Sequence, residues 1–267
     1  MLCFSSVRTA VPASPDRGRN RCGSWVLALD REPQYQREIP QPLLWRHVWE
    51  TRCHPEYNTT GKMENDICLL RLSAPVHFMP HIQPMCLAAQ GSTFPSGFSS
   101  WVAGWGVMDE DVADTLQEVE LPIVGLNECR CLNEISIPDK TICAGFKEGG
   151  RDSCSGDSGG PLIVQLNSIW VQVGVVSFGQ GCAHANLPGA YALVPEYQKW
   201  ISLMVGSSSE PSFVLFAPPD RDYDEEYVCQ KKMTTTLDDD SLSLHSLILI
   251  VHVTCQSCPL ESWEIHW

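Results

Sequence analysis

The residues of this chain that could do chemistry are concentrated in one string of ten, residues 152–161, with the sequence Asp-Ser-Cys-Ser-Gly-Asp-Ser-Gly-Gly-Pro. A serine hydroxyl is a useful nucleophile only when a base takes its proton, and the oxyanion that its attack creates needs converging N–H donors. Glycines on both sides of Ser158 let the backbone turn tightly enough to aim such donors inward. The string therefore indicates a nucleophilic serine.

The Gly-x-Ser-x-Gly pattern around Ser158 also matches the nucleophile elbow of α/β-hydrolases, in which a helix follows the serine directly. Here Pro161 and a β-rich stretch, residues 162–178, follow instead. In hydrolases the acid comes after the serine, whereas the best acid candidate of this chain, Asp66, precedes it. The sequence therefore argues against a hydrolase elbow.

The elements that must position these residues are short β-like runs separated by turn residues, a pattern typical of a barrel or sandwich rather than of βαβ units. The runs cover residues 25–29, 43–49, 67–72, 100–104, 116–124, 162–166 and 169–178. Near the end, apolar residues recur at helical spacing at Val194, Tyr197, Ile201 and Met204, which predicts one helix. We therefore expect an all-β protein with a single late helix.

Four strings carry a resemblance to a known family: residues 63–72, 101–106 and 152–161, and the stretch 176–191, which begins Val-Ser-Phe-Gly. They closely resemble the chymotrypsin/trypsin family of serine proteases, in particular its vertebrate secreted or membrane-linked members of the prostasin, testisin and tryptase kind. The resemblance covers roughly residues 22–205. It implies an all-β fold, the trypsin-like double six-stranded β-barrel with a C-terminal helix, and here the first barrel is expected to be incomplete.

The resemblance implies catalytic roles for matching residues. Ser158 is the expected nucleophile, and the amides of Gly156 and Ser158 form the expected oxyanion hole. Asp66, which would hold the histidine in its correct tautomer, precedes Ser158 by 92 residues, against about 93 in the family. Asp152 matches the acid at the floor of the S1 pocket, where a buried carboxylate selects Arg or Lys. In isolation the two aspartates would be better explained as a surface turn residue and a loop charge.

Further matches concern the pocket and its activation. Ser177, Gly179 and Gly189 correspond to substrate-binding positions, and the two glycines would leave room for a long side chain. Asp157 corresponds to the residue that pairs with the new N-terminal amine after zymogen cleavage. Glycines in loops, however, usually serve turns alone.

The resemblance also implies a disulfide pattern. The expected pairs are Cys129–Cys143 and Cys154–Cys182. Many members of the family carry a further disulfide. The two positions that would form it are Ser100 and Val164 in this chain, so both of its cysteines are absent together. Cys86 matches the residue that ties the domain to its propeptide, and Cys22 would pair upstream, so both are expected to lack their partners.

The general base of the triad is missing from the pattern. The family keeps its histidine in an Ala-Ala-His-Cys string about 45 residues before the acid, but counting back from Asp66 reaches Arg21, and the first histidine is His47. His47 and His54 are at the wrong positions for a base. The other histidines before the tail fall in loops of the family pattern: His77, His81 and His184. The activation sequence Ile-Val-Gly-Gly is also absent, and we expect near-inactivity, since losing the histidine costs about 10⁶ in turnover in subtilisin.

Two functions remain open. The first is a serine endopeptidase lacking its N-terminal part, which acts on protein or peptide substrates with Arg or Lys at P1 and binds protein protease inhibitors. The second is a noncatalytic serine-protease homologue that serves as a binding module. Retention of Ser158, Asp66 and Asp152 favours the first, and in-frame upstream coding sequence with the missing strings would decide. No cofactor is expected, and a metal site at His252, Cys255 and Cys258 is disfavoured because these are three loosely spaced ligands.

The charge and the cysteine content of the chain indicate which partners it can bind and where it is located. The net charge of −14 argues against nucleic acid, which requires a basic face. Thirteen cysteines are typical of an oxidised, secreted protein, and the odd number leaves at least one outside intramolecular pairs. The sequon at Asn58 predicts glycosylation.

No run of 18 apolar residues exists, which argues against a transmembrane helix. We therefore expect an extracellular protein, although residues 1–24 contain no signal peptide and the natural N-terminus is expected to be absent or replaced.

These observations predict three regions. Residues 1–21 are expected to be irregular, and residues 22–205 to form the protease domain without its N-terminal part. Residues 206–267 contain eleven acidic and three basic residues, and are expected to form an acidic, flexible tail.

Overall fold

The computed structural model describes residues 4–5, 25–28, 48–76, 78, 82–108, 111–113, 115–206, 211–219 and 221–229, and most of its elements are β-strands. In chain order the strands are β1 (Phe4–Ser5), β2 (Trp25–Ala28), β3 (Val48–Cys53), β4 (Cys68–Leu72), β5 (Ile82–Gln83), β6 (Cys86–Ala88), β7 (Ser99–Gly104), β8 (Val107–Met108), β9 (Asp111–Val112), β10 (Gln117–Val124), β11 (Thr141–Ala144), β12 (Pro161–Leu166), β13 (Ile169–Phe178), β14 (Gly189–Leu193) and β15 (Phe213–Val214). The helices are α1 (Leu126–Leu132) and α2 (Gln198–Val205), with 3-10 turns at Val194–Tyr197 and Asp224–Glu226.

Six of these strands close into a barrel. They follow the order β12, β7, β10, β11, β14 and β13, and β13 pairs back to β12. Every pairing around this ring is antiparallel. Closure leaves no edge within the ring, so its backbone groups find partners inside the barrel. Strands β6 and β15 branch outward from β13 in parallel pairings.

The barrel is filled by apolar side chains from all its strands. Strand β13 shows why the sequence folds here: its valines are β-branched, which suits the pleated surface of a sheet. Val171, Val173 and Val175 are fully buried. Val171 and Val173 share one cluster with Leu121, Leu162 and other residues of the barrel strands, whereas Val175 belongs to a second cluster.

The first half of the chain contributes a smaller sheet. In the part that the structure describes, it has three strands in the order β2, β4 and β3, all antiparallel. The disulfide Cys53–Cys68 joins directly opposed residues of β3 and β4. The architecture is therefore the all-β, trypsin-like double-barrel type, with one closed barrel and this three-stranded remainder.

Helix α2 connects the two parts. Tyr197, in the turn before it, and Ile201 are buried against Ile67, Leu69 and Val175. The guanidinium of Arg52 donates a hydrogen bond of 2.9 Å to the carbonyl of Met204. The helix predicted from the apolar spacing is confirmed, and its buried face is what holds the smaller sheet on the barrel.

The predicted strands are also found, apart from Leu29 and residues 43–47, which lie outside the described residues. The argument against a hydrolase elbow is confirmed, because strand β12 rather than a helix follows Ser158. The sequence interpretation missed helix α1 and the short strands β6, β11 and β14. No helix in the described part of the chain has the length and apolar character that a membrane crossing requires.

The structure differs from the expected boundary at 205. Strand β15 pairs with β6, Phe216 is fully buried, and Cys229 is bonded to Cys131. The compact unit accordingly extends to Cys229, because these contacts bury apolar surface that composition alone does not reveal. Residues 230–267, with the suggested metal ligands, lie outside the described residues, as does the predicted irregular segment 1–21 except for strand β1.

Candidate active site

One pocket of about 110 Å³ brings together five of the residues that the sequence singled out. Its lining includes Asp152, Ser158, Ser177, Gly179 and Gly189. Asp152 and Ser158 come from the loop before β12, Ser177 from the end of β13 and Gly179 from just after it, and Gly189 from the start of β14. The pocket is thus built where neighbouring barrel strands end.

Both disulfides implied by the resemblance are present in the structure. Cys154–Cys182 links the serine loop to the loop after β13, and Cys129–Cys143 links α1 to β11. The disulfide Cys154–Cys182 forms part of the pocket wall, since both of its cysteines line the pocket. Within the described residues, Cys86 carries a free thiol.

Asp152 is a half-buried carboxylate without a described cation as partner. Oδ1 accepts a hydrogen bond of 2.8 Å from the Ser153 amide, and Oδ2 accepts one of 3.1 Å from the Ala183 amide. Burial nevertheless raises the pKa of this carboxyl above its ordinary value, because two backbone dipoles do not replace full hydration. A cationic group entering the pocket would supply the missing compensation.

Gly189 and Ser153 shape the space around that carboxylate. A Cβ on Gly189 would lie only 2.9 Å from Asp152 Oδ1, so any side chain there would push into the pocket. The hydroxyl of Ser153 lies 3.2 Å from that of Tyr191, which is fully buried. The sequence interpretation assigned Ser153 and Tyr191 no role, although their places beside Asp152 and within the 176–191 string were available signals.

Ser158 is exposed at the pocket mouth on a tightly pinned turn. The Gly159 amide donates to the Val176 carbonyl at 3.0 Å, and the Val176 amide donates to the Gly160 carbonyl at 2.8 Å. Gly156 has φ of +98°, a region that favours glycine. Neither the Gly156 amide nor the Ser158 amide donates a hydrogen bond to another described residue, so both can receive a developing oxyanion.

Asp157 points away from the pocket into its own set of donors. Its Oδ1 accepts a hydrogen bond of 2.8 Å from the Gly106 amide, and its Oδ2 accepts one of 3.0 Å from the Cys154 amide. Because the activation sequence is absent, the sequence predicted no N-terminal amine as partner of Asp157. In this structure the two backbone amides are its partners, and they tie the serine loop to the residues that follow β7.

Asp66 is buried two residues before β4. The Ser177 hydroxyl donates a hydrogen bond of 2.5 Å to Asp66 Oδ2. A second, smaller pocket is lined by Asp66, Lys140 and Tyr197, and shares Ser177 and Phe178 with the first. Burial, followed by the negative charge of Asp66, raises the pKa of Tyr197. The acid and the nucleophile are therefore joined through one strand end.

The described histidines, His54 and His184, do not line the pocket of Ser158. The ring of His54 packs against Tyr197 and Trp200, with centroids 5.7 and 5.2 Å away. Burial, together with the charge of Lys140, holds its pKa below the ordinary value. His184 is exposed. His47, His77 and His81 lie outside the described residues.

Asn58, the predicted glycosylation residue, is exposed in the loop between β3 and β4. Its Oδ1 accepts a hydrogen bond of 2.9 Å from the Met63 amide. This contact holds the side-chain oxygen of Asn58 against the backbone of the same loop.

The comparisons with known proteins concern the same region. The family model described as Trypsin matches residues 45–201. Testisin from Homo sapiens is 41% identical over 172 residues, which cover 59% of this chain and 55% of testisin. The chain thus spans about half the length of this curated relative.

Proposed function

The chain belongs to the trypsin family of serine proteases, and on this premise we propose that its site is that of an endopeptidase cleaving after Arg or Lys. The single observation that carries the proposal is the Asp152 carboxylate, half-buried without a described cation in the pocket that Ser158 opens onto. The substrates are protein or peptide chains, and protein protease inhibitors that present a basic residue would compete for the same pocket.

The specificity follows from electrostatics. A desolvated carboxylate with two backbone donors remains under-compensated, which the raised pKa of Asp152 reflects. A guanidinium or ammonium group supplies the opposite charge, whereas a neutral side chain would leave that carboxylate dehydrated and unpaired. Ser153 adds a hydroxyl group to the pocket, in contact with that of Tyr191, which can accept a further N–H bond. The pocket therefore favours basic P1 residues.

The chemical step requires Ser158 to attack the scissile carbonyl while its proton leaves. The amides of Gly156 and Ser158 would then bind the oxyanion, and Asp66 would orient a protonated imidazole. No described residue of the pocket can act as that imidazole. We therefore propose that the chain as written hydrolyses peptides very slowly, while binding basic P1 groups normally.

That same absence favours a second candidate, a noncatalytic homologue that binds basic segments. Binding at Asp152 needs no general base, and Asp157 is already held by the Gly106 and Cys154 amides without an N-terminal amine. The two candidates differ in turnover and agree on the ligand.

We also propose an extracellular location. The described residues contain four disulfides, which persist in oxidising compartments. A glycan at Asn58 would fit the same environment.

The test of the ligand class is the binding of a fluorescent aromatic amidine, a stable mimic of the arginine head group, to the full chain. We expect saturable binding that the substitution Asp152→Ser weakens at least tenfold. Asp139→Ser is the matched control, because Asp139 is exposed and pairs with Arg130 away from the pocket. Amidine binding that survives Asp152→Ser unchanged would contradict the proposed specificity.

A further inference from the structure

Residues 211–219 and 221–229, which we call the strap, run across the outside of the closed barrel. The strap pairs with the free edge of β6: the Leu87 amide donates to the Ser212 carbonyl at 2.9 Å, and the Ala89 amide donates to the Val214 carbonyl at 2.8 Å. The pairing continues past the strand, where the Thr93 amide donates to the Phe216 carbonyl at 2.8 Å. Such a ladder is the geometry of a strand added to a sheet edge.

One side chain anchors this added strand. Phe216 is fully buried, with its ring stacked on Phe94 at 5.5 Å and edge-on to Phe98 at 5.2 Å. Its amide donates a hydrogen bond of 3.0 Å to the Ser92 hydroxyl. Aromatic pairs of this kind stabilise a contact beyond the burial of apolar surface itself. The barrel thus presents a groove shaped for an aromatic residue at this position.

A second anchor lies farther along the strap. The Asp224 carboxylate is buried and accepts hydrogen bonds of 2.8 and 3.0 Å from the amides of Asn127 and Glu128. The side-chain amide of Asn127 donates back to the Asp224 carbonyl at 2.9 Å. The residue before α1 is Gly125, which has no side-chain cap of its own. The Asp224 carboxylate of the strap therefore accepts the hydrogen bonds of two amides in the first turn of α1, for which Gly125 offers no side-chain acceptor.

A covalent link closes the arrangement. Cys229, the last described residue, is bonded to Cys131 in α1. The strap thus has two noncovalent anchors followed by a disulfide.

We propose that the edge of β6 with Ser92, Phe94 and Phe98 is a strand-accepting peptide site, and that its occupant is the chain's own strap, locked in place by Cys131–Cys229. The recognised pattern is an extended segment running parallel to β6, with a buried aromatic residue and a carboxylate eight positions later. This site is separate from the pocket of Ser158, and the inference does not depend on the proposed function.

The experiment uses the full chain and its variant Phe216→Ala, Cys131→Ser, Cys229→Ser, in which one anchor and the lock are removed. Amide hydrogen exchange is measured at Leu87, Ala89 and Thr93. We expect exchange at least tenfold faster in the variant than in the wild type. Leu215→Ala is the control, because Leu215 is exposed beside Phe216, and it should leave the three amides protected.

A labelled peptide of residues 211–229 carrying Cys229→Ser is then added in trans. It should bind the triple variant and restore protection of the three amides, while the same peptide with Phe216→Ala should bind at least tenfold more weakly. The wild-type chain, whose site is filled, should bind neither. Unchanged exchange in the variant, or an opened edge that the peptide does not protect again, would overturn the proposal.

Amides of β11 and β14 report whether the barrel stays folded. If they lose protection as well, the variant Cys131→Ser, Cys229→Ser replaces the triple variant, since it retains every noncovalent anchor. Excess peptide should then exchange with the unlocked strap and bind. Absence of binding in this folded variant would also overturn the proposal.

Discussion

The hydroxyl of Ser177 donates a hydrogen bond of 2.5 Å to the buried carboxylate of Asp66, and this contact joins the two pockets of the site. Ser177 lines both pockets, so the end of β13 stands between the acid and the nucleophile. The position of Asp66 thus depends on a residue of the closed barrel as well as on its own strand.

The first prediction concerns this bond. Ser177→Ala removes a donor to a buried carboxylate, and hydrogen bonds to charged groups contribute about 1.5–3 kcal/mol. We expect the free energy of unfolding to fall by about that amount in urea denaturation. Ser168→Ala, in the exposed turn between β12 and β13, is the control and should change it by less than about 0.5 kcal/mol. Equal stability of the two variants would show that the bond does not hold Asp66.

The second prediction is a pH dependence. Because burial raises the pKa of Asp152, this carboxyl is protonated at pH values where an ordinary aspartate is ionised. A cation needs the carboxylate, so amidine affinity should fall as the pH is lowered through the raised pKa and should be full above it. Fluorescence titrations at a series of pH values measure the midpoint. A midpoint at or below the ordinary aspartate pKa would contradict the assignment of Asp152 as the binding acid.

The third prediction concerns the pocket wall. In Gly189→Ala the new methyl would lie 2.9 Å from Asp152 Oδ1, whereas in Gly179→Ala it would meet nothing closer than the Gly181 carbonyl at 3.4 Å. Both glycines line the same pocket, but only the methyl group at position 189 would crowd the Asp152 carboxylate itself. We expect amidine affinity to fall at least tenfold in Gly189→Ala and by a smaller factor in Gly179→Ala, which narrows the pocket wall without touching Asp152. Similar losses in both would mean that the cation does not reach Asp152.

Which elements and site residues could be predicted from the sequence depended on the length and specificity of each sequence pattern. The long strands β10 and β13 were predictable, because their apolar runs are bounded by turn residues. The string around Ser158 located the pocket for the same reason, since few other sites need those residues in that order. Helix α1 has only seven residues and no apolar period long enough to recognise.

The strap was missed for a different reason. Its segment is acidic and contains prolines, a composition that predicts a flexible tail. Its order comes from Phe216, Asp224 and Cys229, whose partners lie about 100 residues away in the chain. Local composition carries no information on such contacts. The missing general base, by contrast, could be predicted from the sequence, because no histidine precedes His47 and the family pattern expects one about 45 residues before Asp66.

The fourth prediction concerns the cross-strand disulfide Cys53–Cys68, which lies two residues from Asp66. It closes a short loop, with a sequence separation of 15, and a loop of that length contributes about 3 kcal/mol through the unfolded state. Replacing both cysteines with Ala should lower the free energy of unfolding by about this amount under non-reducing conditions. Replacing Cys86 with Ala is the control for losing a thiol, because Cys86 is unpaired. A double variant as stable as the control would show that β3 and β4 are held by their ladder alone.

The last prediction separates the two candidate functions. The chain as written should not react with a fluorophosphonate probe, because no described histidine lines the pocket of Ser158 and an unassisted serine hydroxyl is a weak nucleophile. A version joined to a family-type upstream segment with a histidine and an activation site, and then cleaved, should label at Ser158 and cleave peptides after Arg or Lys. Ser158→Ala in that version is the control and should abolish labelling while retaining amidine binding. Strong labelling of the unextended chain would show that another residue acts as the base, and a completed version that binds amidines without labelling would favour the noncatalytic binding module.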